Sequence, residues 1–195
     1  AESSGASVAN VKLLGTKEIE SSFVAADILD AAYNGKGQFN GAAIKNVRAL
    51  GALYPETVQL IVKADSGINR VKDLKGKSVS SGSPGSGQYQ LLTDLLTVNG
   101  LKRSDIKEDL SSFTQAVDKI KDGNLDATLI TAGVPTAAVT DFAQSHAMKI
   151  VPLAGPEIAE LQKQQPFYTS VKLPANSYKG QTAPVDTLAV MAVWS

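Results

Sequence analysis

Leu13-Leu14-Gly15-Thr16-Lys17-Glu18-Ile19-Glu20 and Ile120-Lys121-Asp122-Gly123-Asn124-Leu125-Asp126 are written in one grammar. Each reads as a helix end, a glycine-containing turn, an apolar then an acidic residue, and the approach to a buried strand. The first leads through Phe23 to a helix from Asp27, the second through Leu129-Ile130 to a helix from Pro135. Any two helix-to-strand units share part of this pattern. The sharper reading is two similarly built α/β lobes in one chain.

Working outward, Val8, Val11, Leu13 and Leu14 carry helical spacing behind Ser7 as a cap, Ile19 to Val24 reads as a strand, and Asp27 to Tyr33 as a helix. Asn34 to Gly41 is turn-rich and reads as a loop. Val47 to Leu53 and Val58 to Val62 read as two strands separated by Tyr54-Pro55-Glu56. From Val71 the alternation becomes regular: a helical turn to Leu74, a strand over Ser78 to Ser81, a helix over Ser86 to Val98, a strand over Ile106 to Leu110 and a helix over Thr114 to Lys121. A strand over Leu125 to Ile130, a helix after Pro135, a strand over Met148 to Val151 and a helix over Glu157 to Gln164 follow, and Val185 to Trp194 is a closing apolar strand. This alternation predicts an α/β fold with a parallel or mixed sheet covered on both faces.

At 195 residues the chain is long enough for one large domain or two small lobes. Nineteen basic residues balance nineteen acidic ones, so no global field draws the chain to nucleic acid or an anionic membrane. Zero cysteines remove disulfides and thiol catalysis, and the lone His146 leaves little for a histidine base or an imidazole metal site. No apolar run approaches the ~18 residues of a membrane span. Ala1-Glu2-Ser3-Ser4-Gly5 has neither the basic start nor the apolar core of a signal peptide.

Ser80-Ser81-Gly82-Ser83-Pro84-Gly85-Ser86-Gly87-Gln88 sits where a strand gives way to a helix, a place where backbone N–H groups and the helix dipole receive anions. The same residues also describe a tight turn without ligand. Their spacing reverses the dinucleotide fingerprint, and Gly76-Lys77-Ser78 lacks the first glycine of a P-loop, since Val71 stands there. Neither Ser83 nor Ser86 has the frame of a nucleophilic serine. Thr131-Ala132-Gly133-Val134-Pro135-Thr136 is a second strand-to-helix turn, with Pro135 placed for a first helical position. If both turns face one sheet edge, they converge on one cleft. Tyr54-Pro55-Glu56 offers an aromatic ring beside a carboxylate, while Phe167, Tyr168 and Tyr178 read as packing residues and His146 as a surface residue.

Gly5 to Asn10, Ala32 to Gly35, Leu53 to Thr57, Asp73 to Lys77, Pro84 to Gly87 and Lys121 to Ala127 together carry a likeness that runs in order along the chain. The sequence resembles the TAXI family of solute receptors of TRAP (tripartite ATP-independent periplasmic) transporters, which includes the 31 kDa immunogenic surface antigens. That resemblance implies a type II periplasmic-binding-protein fold, two α/β lobes with a hinge, closing on a ligand. It implies residues 1–64 as part of lobe I, 65–184 as lobe II with a first crossing near Val58 to Asp65, and 185–195 as the return strand. It implies Ser7, Asp27, Tyr54, Glu56, Pro84, Gly85, Ser86, Gly87, Thr131, Ala132 and Gly133 as cleft lining. Family members often have Gln or Ser before the position of Asp27, where this chain has Ala25-Ala26, and Thr where it has Gln88. They also begin earlier and continue past Trp194, so the resemblance implies a fragment whose first lobe is incomplete and exposes apolar surface.

The function so implied is a non-enzymatic, periplasmic receptor for a small carboxylate, either an amino acid such as glutamate or glutamine or a dicarboxylic or oxo acid. It would deliver its ligand to membrane permease subunits, with no cofactor, no metal and no nucleic acid, as a monomer when full length. An effector-binding domain of a transcription regulator is the alternative on the same fold.

Overall fold

The structure is a computed structural model that describes residues 4–83 and 86–195. In chain order its elements begin with α1 (Ser7–Thr16), β1 (Phe23–Ala25), α2 (Ala26–Asn34), β2 (Gly51–Lys63), β3 (Ser78–Ser80) and α3 (Gln88–Val98). They continue with β4 (Lys107–Asp109), α4 (Phe113–Lys121), β5 (Ala127–Ala132), α5 (Ala137–Ser145), β6 (Met148–Val151), α6 (Pro156–Gln164), β7 (Thr169–Leu173) and β8 (Val185–Trp194).

The spine is the antiparallel pair β2 and β8. The first half of β2 lies against the last half of β8, with Gly51 opposite Trp194 and Thr57 opposite Ala189. Beyond Thr57, β2 runs on between β5 and β6, with Val62 opposite Ala127 on one edge and Lys63 opposite Met148 on the other. β8 is used in the same divided way: its end pairs with β1 and its beginning with β7. β3 lies parallel to β5 and to β4, completing a mixed sheet in the order β1-β8-β2-β5-β3-β4. The two stretches with a common grammar occupy matching places, since β1 flanks β8 and β5 flanks β2, each between two helices.

Side-chain alternation along the sheet builds two apolar layers. Leu60 and Val62 of β2 and Leu129 of β5 join the larger layer with Val8, Val11, Ile28, Leu91, Leu95 and Leu161. Their neighbours Ile61 and Ile130 enter the smaller one with Val117, Ile120 and Phe142. Helices α1, α2, α3 and α6 therefore cover one face and α4 and α5 the other, as the alternating pattern predicts. Around the β1–β8–β2 end Phe23, Leu50, Leu53, Met191 and Trp194 are exposed.

Several expectations are corrected. Tyr54-Pro55-Glu56 does not break the chain into two strands: β2 is continuous, with a register shift between Ala52 and Tyr54 that takes up one extra residue. Proline is tolerated because β5 joins β2 only at Thr57, so at Pro55 one strand edge has no partner to satisfy. Residues 47–50 lie outside the strand. β5 starts two residues later than predicted because Leu125 and Asp126 are held in the turn, the Leu125 amide on Lys119 O and the Asp126 amide on Ser78 O. Ser7 is not the cap of α1; Ala6, at φ 74°, precedes it, and the Ser7 hydroxyl instead accepts the Ala25 amide at 3.1 Å. Pro135 stands before the cap Thr136 and is not the first helical residue. β7 was not predicted, because Thr-Ser-Val-Lys-Leu is mostly exposed and lacks an apolar run.

Candidate functional site

Because β3 and β5 are parallel neighbours, their carboxyl ends deliver two turns to one edge of the sheet, where open α/β sheets hold ligands. β1 ends at the same place and leads into α2. The cleft between these turns and the β2–β8 pair has a volume of about 310 Å3. Nine expected residues line it: Ser7, Asp27, Tyr54, Glu56, Ser86, Gly87, Thr131, Ala132 and Gly133. Pro84 and Gly85 lie outside the described residues. Asn10, Phe23, Gln88, Phe113, Tyr168 and Val190 also line the cleft and were not among the expected residues.

The turn after β3 is fastened from below. The Ser81 amide donates to Asp109 O at 3.1 Å and its hydroxyl to Glu108 Oε1 at 2.7 Å. Arg103 pairs with Glu108, lies 3.7 Å from the centre of the Tyr89 ring and donates to Tyr89 O at 2.9 Å. Gly82 needs its glycine twice, for a φ of +83° and because a Cβ would strike the Gln88 side chain. Gln88 is buried and donates to Leu129 O at 2.9 Å, tying the start of α3 to β5. At Gly87 a Cβ would stand 2.8 Å from Ile28 Cγ1, so glycine lets α3 begin against α2. Ser86, Gly87 and Gln88 thus bring the start of α3, the positive end of its dipole, to the wall of the cleft.

The second turn is held differently. Fully buried Gln59 donates to Thr136 Oγ1 at 3.0 Å and accepts the Tyr178 hydroxyl at 2.6 Å, which in turn accepts the Thr136 amide at 2.9 Å. Tyr178 therefore occupies the amide that opens α5, and this turn meets the cleft through Thr131–Gly133. The Thr131 hydroxyl oxygen is buried without a hydrogen-bond partner.

The third wall is acidic. Asp27, in the first turn of α2, accepts the Tyr168 hydroxyl on Oδ2 at 2.6 Å, while its Oδ1 is buried with no partner. Burial raises the Asp27 carboxyl above its usual range, against the pull of the Tyr168 bond and of the Ile28 and Asp27 backbone amides, and the Asp94 charge adds to the rise. Burial also pushes Glu56 up to about 7, with the Asp27 charge adding to the rise. Among the described lining residues these two carboxyls are the charged groups; no Lys or Arg is present. Tyr168, read from sequence as a packing residue, is buried and also reaches the cleft. Tyr178 packs as expected, and His146 is exposed beside Phe142. Among the described residues no cluster of three metal-binding side chains occurs, and no helix is long and apolar enough to cross a membrane. The cleft can therefore hold a small polar molecule between a helix N-terminus, two carboxyls and the rings of Phe23, Tyr54 and Phe113.

A mixed sheet with two long antiparallel strands, helices on both faces and a cleft at the carboxyl ends of parallel strands is the α/β architecture of periplasmic binding proteins. It is similar to the periplasmic aliphatic sulphonate binding protein SsuA from Escherichia coli, with a TM-score of 0.55 and 22% identity over 72% of this chain and 42% of that one. It is likewise similar to the alkanesulfonate-binding protein SsuA from Xanthomonas axonopodis pv. citri bound to MOPS, with a TM-score of 0.54 and 21% identity over 75% of this chain and 47% of that one. The chain thus spans a little under half the length of these proteins. It belongs to the NMT1-like family, which it matches over residues 1–195.

Proposed function

We propose that this chain is the ligand-binding part of a periplasmic solute receptor, a binding protein and not an enzyme, which captures a small carboxylate and presents it to membrane permease subunits. The observation that carries the reading is convergence: residues singled out far apart in sequence, from Ser7 to Gly133, line one cleft at the junction of the two long strands. The anionic end of the ligand meets the α3 N-terminus at Ser86, Gly87 and Gln88, and Pro84 and Gly85 are proposed as further ligand contacts. Tyr54, Thr131, Ala132 and Gly133 contact the remainder. Residues 1–64 and 65–184 act as the two lobes, β2 and the return strand over 185–195 as the hinge, and closure traps the ligand. The full-length protein works as a monomer, without cofactor or nucleic acid.

The resemblance to TAXI receptors supports a TRAP-type transporter as the partner. Likeness to a sulfonate ABC transporter's periplasmic sulfonate-binding protein SsuA from Methylobacillus flagellatus KT, with a TM-score of 0.50 and 16% identity over 95% of this chain and 45% of that one, supports an ABC permease as the second reading. The neighbouring transporter gene separates the two. Calorimetric titration of the protein against a panel of amino acids, dicarboxylates, oxo acids and alkanesulfonates tests capture itself. Binding that is lost in Gly87→Asp is the expected result; no binding across the panel, or binding undiminished in that variant, overturns it.

A further inference from the structure

We infer that Asp27 and Glu56 form a receiving site for a protonated amine, so that the cleft selects ligands carrying a cationic nitrogen and releases a proton as they bind. The inference rests on the solute-receptor reading and sharpens it, since it turns a site for carboxylates in general into one for zwitterions.

The geometry comes first. Asp27 Oδ1 is buried on the cleft wall without a donor, although Tyr168 has already satisfied Oδ2. A buried carboxylate oxygen without a donor is costly, and an ammonium group, with three N–H donors and a positive charge, supplies what it lacks. Glu56 reaches the same cleft from β2, so two carboxyls flank one space. A ligand that is only anionic meets repulsion there, whereas a zwitterion can place its anionic end at α3 and its amine between Asp27 and Glu56.

The proton follows from the neighbours. Asp27 is faced by Glu56 on β2, by Asp94 on α3 and by the Tyr168 hydroxyl ahead of β7. A cavity of about 470 Å3 behind it is shared with Asp30, Asp94 and Lys36. Acidic groups therefore outnumber the single cation, and Glu56 holds its proton up to about pH 7. An arriving ammonium favours the ionised carboxylate, and the Glu56 proton passes to solvent. Between pH 6 and pH 8 the ionised share of a carboxyl titrating near 7 rises about tenfold, from about one tenth to nine tenths. Affinity for an amine-bearing ligand rises by a similar factor, and affinity for a purely anionic one falls.

The experiment is calorimetric titration of the protein with three matched pairs: L-glutamate and glutarate, L-alanine and propionate, taurine and ethanesulfonate. It is run at pH 6 and pH 8 in buffers of different ionisation enthalpy. The expected result is that the amine-bearing member of a pair binds about tenfold or more tightly than its partner, gains affinity at pH 8 and releases close to one proton at pH 6. In Glu56→Gln the proton release disappears, and in Asp27→Asn the preference for the amine collapses, each with circular dichroism unchanged. A variant that fails to fold is replaced by Asp27→Glu, which keeps the charge and is expected to keep the preference. Binding without preference for the amine, or without proton release, overturns this inference while leaving the receptor reading intact. Binding of no member of any pair by the folded protein overturns the inference as well, and the wider ligand panel then decides the receptor reading separately.

Discussion

Replacing Glu56 by glutamine should stabilise the ligand-free protein at neutral pH and leave it nearly unchanged in mild acid. Glu56 lies on β2 facing the cleft, and burial, followed by the nearby Asp27 charge, lifts its carboxyl from 4.5 to about 7. A folded-state value above the unfolded one means that the native state holds the proton more tightly. The stabilisation is complete below 4.5 and is lost as pH rises to about 7. At pH 8 the ionised, half-buried carboxylate costs the fold about 1–3 kcal/mol relative to its protonated form, after allowance for solvent screening. Glutamine has nearly the same shape as the protonated acid and carries no charge. Urea unfolding followed by far-UV circular dichroism at pH 4, 6, 7 and 8 should show wild type and Glu56→Gln converging at pH 4, with the variant ahead by about 1–3 kcal/mol at pH 8. Such a gain, coupled to loss of the proton release on ligand binding, is the trade expected of a binding group held in an unfavourable place. Curves that stay parallel across the pH range, or a variant weaker than wild type at pH 8, would refute the assignment of Glu56 as a half-buried carboxyl that holds its proton up to about pH 7.

Other substitutions probe the supports of the cleft. Tyr168→Phe removes the side-chain donor on Asp27 Oδ2, so urea unfolding at pH 8 should show a loss of about 1–3 kcal/mol, shrinking as the pH falls and Asp27, whose carboxyl burial raises, takes up a proton. Gly87→Ala places a Cβ against Ile28 and should cost about 1–3 kcal/mol. Combined with Ile28→Ala the two losses should be less than additive, because the clash is gone, and strict additivity in the double-mutant cycle would reject that close approach. Asp126 accepts the Ser78 amide and hydroxyl, both at 2.8 Å; burial is the largest single influence on its carboxyl and pushes it up, but these bonds together with the Lys77 and Lys107 charges outweigh it and hold the carboxyl below the usual 3.8. Asp126→Ala should therefore destabilise by about 1–3 kcal/mol at pH 7. Its contribution is present above 3.8 and lost as pH falls through the lower folded value, so the difference between Asp126→Ala and wild type should shrink in acid unfolding.

Much of the architecture was legible because local signals and packing agree. β6 and β8 run over the residues predicted, and α2, α4 and α6 fall within a residue or two at each end, since their apolar positions face the layers they were patterned for. The Lys121 to Ala127 stretch is legible for a structural reason: Asp126 staples the turn before β5 to β3. The misreadings have one physical source, tertiary context overruling a local signal. Pro55 reads as a break until the missing partner on that edge of β2 is known, and Ser7 reads as a cap until the Ala25 amide is seen to claim its hydroxyl. Tyr168 was unreadable as a site residue because its bond to Asp27 spans 141 positions in the chain. Gln88 stood out in the sequence only as a departure from the family, and its role, holding Leu129 O, needs β5 in place.

The proposed solute site is the cleft between α3, the Thr131–Gly133 turn and the acidic wall. Its most direct test is a crystal structure of the protein grown with whichever compound in the panel binds most tightly in calorimetry. The expected result is density between Ser86 and Gly133, with an anionic group against the start of α3 and a nitrogen within hydrogen-bond distance of Asp27 Oδ1. A tightly bound compound found elsewhere, for example in the cavity of about 250 Å3 lined by Arg70, Lys72 and Glu157, with this cleft holding only water, would contradict it.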